Sequence, residues 1–178
     1  MKQLLLVSWL LSLSAILGLP EVKADVRMPL IFGNHMVLQQ DTRITIWGWA
    51  DAGENIEVLF AGQKVRTTAN ADGTWQVKLK PVKTKKKGET LTITGKNKLV
   101  YSDVLVGDVW VASGQSNMEW GIKVRKEYAD DIAHSEDSLL RLFFVPKNTS
   151  LQPLSEIEIP QGTASPERAA RWVLCTPE

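Results

Sequence analysis

The sequence predicts two architectures in succession, a β-sandwich followed by the opening of an α/β domain with a parallel sheet. Three observations carry this expectation. Between Asp25 and Asp103, short runs rich in Val, Ile, Thr and Trp alternate with turn signals. After Tyr101 the alternation gives way to the continuous apolar runs typical of strands covered on both faces. Between two such runs lies a stretch with helical spacing.

The first 24 residues stand apart from this pattern. Lys2 supplies a positive start, Leu4 to Leu19 an apolar core, and Val22-Lys23-Ala24 a small-residue cleavage site, the layout of a secretory signal. Ser8, Ser12 and Ser14 dilute the apolar segment. It is also short for the roughly 30 Å of a bilayer interior. Cleavage near Ala24 and export to the periplasm or beyond the cell are expected, with no stable membrane insertion afterwards. Without residues 1–24 the chain carries 21 − 2 = 19 basic and 20 − 1 = 19 acidic residues. That balance argues against a nucleic-acid partner, which would demand a basic face. Cys175 is the single cysteine, so no disulfide forms within the chain, and it reads as a small buried hydrophobe.

In the first domain, residues 25–103, the candidate strands are RITIWGWA, IEVLF, QKVRTTA, TWQVKL, ETLTITG and KLVYS. The intervening DAGEN, AG, NADG, PVKTKKKG and GKN are turns. Six strands at this spacing suggest an antiparallel sandwich. The Lys83–Lys87 run, beside Pro81 and Gly88, reads as a solvated loop. By the period of two, Trp47 and Trp49 share one strand face, opposite Ile44, Ile46 and Gly48. Paired tryptophans either fill a core or interface or form a platform for sugar rings.

In the second domain, residues 104–178, Val104–Val106 and Val109–Ala112 read as a buried strand. KVRKEYADDIAH, residues 123–134, places Val124, Tyr128 and Ile132 four apart, as a helix requires. Leu139–Val145 is the next strand, giving a βαβ unit. A polar stretch, the Ala164-Ser165-Pro166 link and the short apolar Trp172–Cys175 segment follow. Two parallel strands cannot bury a doubly covered sheet, so this domain is incomplete within these residues.

Directly behind the first of those strands comes GQSNMEW, residues 114–120. A nucleophile in an α/β enzyme sits at the carboxyl end of a strand, where Ser116 falls. Gly114 permits a tight turn, and the amides of Asn117 and Met118 are placed to face an oxyanion. The elbow G-x-S-x-G is not matched, because Met118 stands where its second glycine belongs. Spacing alone therefore leaves two readings, an activated serine or a turn that ends a strand.

GDVWVASGQSNMEW resembles the first block of the sialate O-acetylesterase family, a branch of the SGNH (GDSL-like) serine esterases. FGNHMVLQQ and ITIWGWADAGENIEV look like that family's N-terminal β-domain, and RLFFVP and RWVLCTPE like its segments after the nucleophile. The resemblance implies an SGNH-like, three-layer α/β domain and a hydrolase that removes acetyl groups from sugar hydroxyls through an acyl-serine. Ser116 would be the nucleophile, with Gly114 and Asn117 supporting the turn and oxyanion. In the family a histidine takes the serine proton and an acidic partner orients it. The family's later glycine, asparagine and D-x-x-H blocks have no counterpart here, so residues 25–178 alone are expected to be inactive.

Asp131-Ile132-Ala133-His134 also spells D-x-x-H. In a βαβ unit it would lie at the sheet edge opposite Ser116. Ten helical residues displace it by about 15 Å, and proton transfer needs ~3 Å. His35, the other histidine, belongs to the sandwich and is expected to make structural hydrogen bonds. No metal or organic cofactor is implied, and the expected partner is an acetylated carbohydrate. Two alternatives remain open at this point: a carbohydrate-binding or adaptor module built on the sandwich, and an acetylesterase of the same family acting on plant polysaccharide.

Overall fold

The computed structural model describes residues 25–119, 121, 125–163 and 169–177, with the backbone alone at Asn117 and Glu119. The expected leader at residues 1–24 lies outside them.

Seven strands build the first unit: β1 (Val37–Gln39), β2 (Ile44–Trp49), β3 (Asn55–Phe60), β4 (Gln63–Thr68), β5 (Thr74–Leu79), β6 (Lys85–Thr94) and β7 (Lys98–Gly107). They form a five-stranded sheet of order β1-β7-β6-β3-β4 and a two-stranded sheet β2-β5. Pairing is antiparallel except for β1 with β7, which is parallel. Alternation drives the assembly, since every second residue of a strand faces the same side. Ile44 and Ile46 of β2, Trp75, Val77 and Leu79 of β5, Ile56, Val58 and Phe60 of β3, and Leu91 and Ile93 of β6 are all buried in one cluster between the two sheets. A sandwich with a single core results.

Turn chemistry fixes the strand register. Ala61 and Gly62 join β3 to β4 with φ of 48° and 74°, and Phe60 pairs with Gln63 across them. Positive φ at both central residues marks the two-residue turn whose twist matches a hairpin. The buried Glu54 carboxylate accepts from the Lys96 amide at 2.6 Å and the Asp51 amide at 3.2 Å, joining two turns. Asn97 holds the segment before β1 by accepting from the Val26 amide at 2.9 Å and donating to the Val26 carbonyl at 3.0 Å.

Several expectations need correction. Lys85–Lys87 belong to β6 rather than to a loop, because Lys85 pairs with Val106 on β7. The run Val104–Val106 is buried on both faces as expected, yet it forms the end of β7, between β1 and β6, and not a strand of a second sheet. Val109–Ala112 is not a strand. Trp110 and Val111 are 88% and 91% exposed, because among the described residues no strand lies beside them to complete a ladder.

Beyond Gly107 the expected βαβ unit does not form among the described residues. Its helix is reduced to a 3₁₀ turn at Lys126–Tyr128 and α1 (Ala129–Ala133), and Lys123 and Val124 lie outside the described residues. The expected strand at Leu139–Val145 begins two residues earlier as β8 (Asp137–Phe143). It pairs antiparallel with β9 (Trp172–Cys175) instead of parallel to a preceding strand. Trp172 anchors this pair to the sandwich, its indole N–H donating to the Ile31 carbonyl at 2.7 Å. Cys175 is half-buried, its thiol 3.1 Å from the Ser135 carbonyl.

Candidate functional site

Ser116 opens a single 3₁₀ turn, Ser116–Glu119, and its side chain is exposed. The chain reaches it through a stretch with no regular secondary structure, so the nucleophile candidate does not sit at the end of a paired strand. At Gly114 a Cβ would come within 2.8 Å of the Met118 Cγ. The amide of Met118 donates to the Gln115 carbonyl at 2.9 Å, which removes it as an oxyanion donor. The side chain of Asn117, expected to support the turn, lies outside the described residues.

An open cavity of about 920 Å³ adjoins Ser116. Residues 113–116 and Met118 form one wall, residues 144–147 a second and Pro160–Thr163 a third. The third wall is a tight turn in which Gly162 takes a φ of 79° and the Thr163 hydroxyl donates to the Pro160 carbonyl at 2.6 Å. Phe144 and Val145 make the floor apolar, and both are more than half exposed. No described side chain hydrogen-bonds the Ser116 hydroxyl.

Neither histidine lines this cavity. His134 caps the end of α1, its Nδ1 donating to the Asp130 carbonyl at 2.8 Å, so Asp131 and His134 form no catalytic pair with each other. His35 makes the structural hydrogen bond expected of it, its Nδ1 donating to Asp103 Oδ2 at 2.7 Å. The same oxygen accepts from Arg141 Nη2 at 2.9 Å. This His35–Asp103–Arg141 cluster was not visible in the sequence, since its members come from the loop before β1, from β7 and from β8. His35 and Asp103 both take left-handed backbone, with φ of 66° and 52°.

Over 141 residues the chain is 34% identical to the sialate O-acetylesterase of Rattus norvegicus and 32% identical to that of Mus musculus, alignments that take in 70% and 71% of this chain. A crystal structure of a carbohydrate acetylesterase from Xanthomonas citri superposes on 85% of the chain with a TM-score of 0.75 and 34% identity.

The chain belongs to the sialate O-acetylesterase family.

It spans about a quarter of the length of those two curated relatives, 25% and 26%, and 33% of the Xanthomonas chain. No family model matches it. Within this member of the sialate O-acetylesterase family, the serine turn follows the sandwich in the same chain. The described residues bring no histidine to the serine.

Proposed function

We propose that this chain carries the nucleophile of a carbohydrate O-acetylesterase, with Ser116 attacking the acetyl carbonyl of an esterified sugar hydroxyl. The exposure of Ser116 beside an open cavity, within the block GQSNM, carries the reading. The names of the relatives support it at the level of carbohydrate acetyl esters, with sialate esters the favoured substrate. In the step proposed, the serine oxygen forms the new ester bond, the sugar hydroxyl leaves with a proton, and water then releases acetate from the acyl-serine. A histidine and its acidic partner outside these residues would move the proton, and the residues after Gly107 would contribute to a parallel three-layer sheet of SGNH type. Export after removal of residues 1–24 belongs to the same reading.

The test is acetate release from O-acetylated sialic acid by the 178-residue chain, by the whole natural gene product, and by the latter with Ser116→Ala. Turnover by the whole product alone, lost on substitution, is expected. Full activity of the Ser116→Ala protein would sink the nucleophile assignment, and activity of residues 25–178 alone would sink the claim that the proton-transfer groups lie elsewhere.

A further inference from the structure

The two-stranded sheet β2-β5 has an outer face that the Ser116 chemistry does not use. Its register pairs Thr45 with Lys78, Trp47 with Gln76 and Trp49 with Thr74, while Ile46, Trp75 and Val77 point into the core. One step further along the same rows stand Arg43 and Lys80, both exposed. The eight outward positions therefore read Arg, Thr, Trp, Trp on one strand and Thr, Gln, Lys, Lys on the other, with no acidic residue. Among the described residues no ion pair engages Arg43, Lys78 or Lys80. Acidic and basic residues balance over residues 25–178, so these rows carry local positive charge, with the Asp72 carboxylate accepting from the Thr74 hydroxyl at their far end.

The two tryptophans are not equivalent. The Arg27 guanidinium stacks over Trp49 at 3.9 Å from the ring centre, and Arg27 is itself paired with Glu156. Trp47 is 39% exposed and held in place by an edge contact with Phe32, ring centres 4.7 Å apart at 75°. A largely apolar cleft of about 180 Å³ opens beside it, lined by Phe32, Met36, Leu38 and Ile44 as well as Arg43 and Thr45, with Gln76 and Lys78 on the open sheet face outside it. One fixed indole with cations two to four residues away gives an apolar surface next to a point of positive charge. A nucleic acid strand would demand successive stacking platforms and a track of phosphate contacts. A single sugar ring bearing one carboxylate asks for only one platform and one point of positive charge.

We propose that the outer face of β2-β5 binds acidic sugars, with Trp47 against the apolar face of a pyranose and Arg43 and Lys78 taking its carboxylate. Thr45 and Gln76 supply hydrogen bonds to ring hydroxyls. The site is separate from Ser116 and does not depend on the assignment of that serine.

The test is calorimetric titration of the 178-residue chain with 3′-sialyllactose and with lactose, on the parent and on the Ser116→Ala, Trp47→Ala and Arg43→Glu/Lys78→Glu variants. Saturable binding of sialyllactose with a Kd of about 1 mM is expected. Charge reversal should weaken it about tenfold or more, and about 0.5 M salt should reduce it. Trp47→Ala should do likewise, while Ser116→Ala leaves it unchanged. Arg43 and Lys78 are exposed, so the reversed variant folds and keeps the test decisive even where Trp47→Ala disturbs Phe32. Equal binding of lactose, undiminished binding after charge reversal, or binding confined to poly(U) or phosphatidylserine vesicles would overturn the proposal, as would no binding at all.

Discussion

Arg141 donates to Asp103 across 2.9 Å, and its side chain is only 4% exposed while that of Asp103 is 37% exposed. This bond fastens β8 to the end of the sandwich. Removing the carboxylate leaves a buried guanidinium whose Nε already has no partner among the described residues. Asp103→Asn is expected to destabilise the protein by about 1–3 kcal/mol, less than for a fully buried pair because water reaches the carboxylate. Urea denaturation measures it. A change below about 0.5 kcal/mol would show that the bond contributes nothing beyond its surroundings.

Gly88 faces Asp103 at the irregularity where β6 shifts register against β7. A Cβ there would come within 2.8 Å of the Asp103 Cα and 2.9 Å of its carbonyl carbon, and backbone atoms cannot swing aside. Gly88→Ala is expected to cost about 1–3 kcal/mol, read as a fall of several degrees in Tm. An unchanged melting curve would mean that the bulge relaxes freely.

Leu91 is fully buried between the sheets. Leu91→Ala removes apolar contacts and leaves a cavity, so a loss of about 2–5 kcal/mol is expected by chemical denaturation. A loss under about 1 kcal/mol would indicate a core loose enough to collapse around the deletion.

Glu57 on β3 binds Arg66 and Lys64 of β4, and hydrogen bonds from Arg66 and then Lys64 hold its carboxyl below the ordinary 4.5. A carboxylate with a lowered folded value stabilises the protein above its unfolded value and ceases to do so as pH falls through the folded one. Glu57→Gln should therefore lower the urea midpoint at pH 7 and leave it unaltered at about pH 2, flattening the acid limb of the stability profile. Parallel profiles for parent and variant would refute the linkage.

The sandwich was largely legible because alternation reports a half-buried strand directly. The expected run Arg43–Ala50 overshoots β2 by one residue at each end, and Thr74–Leu79 coincides with β5. β1 was missed because three residues are too few to show a period, and its pairing with β7 is long-range. The lysines at 85–87 concealed a strand because an exposed strand end has no apolar signature. Val109–Ala112 misled in the opposite direction: an apolar run reports an appetite for burial, and a strand also needs a neighbour to accept its hydrogen bonds. At the site, the block around Ser116 was visible as a motif. The meeting of His35, Asp103 and Arg141 depends on three-dimensional closure that no local pattern encodes.

The order β1-β7-β6-β3-β4 leaves two strands at the margins of the large sheet. One, β1, is only three residues long, and the other, β4, presents Lys64 and Arg66 along its exposed rows. An unprotected margin invites strand addition by another chain and growth into fibrils, whereas brevity and fixed positive charge discourage it. The Glu57 contacts thus have a second effect. By tethering the two cations along the rim, they hold charge where an added strand would have to pair.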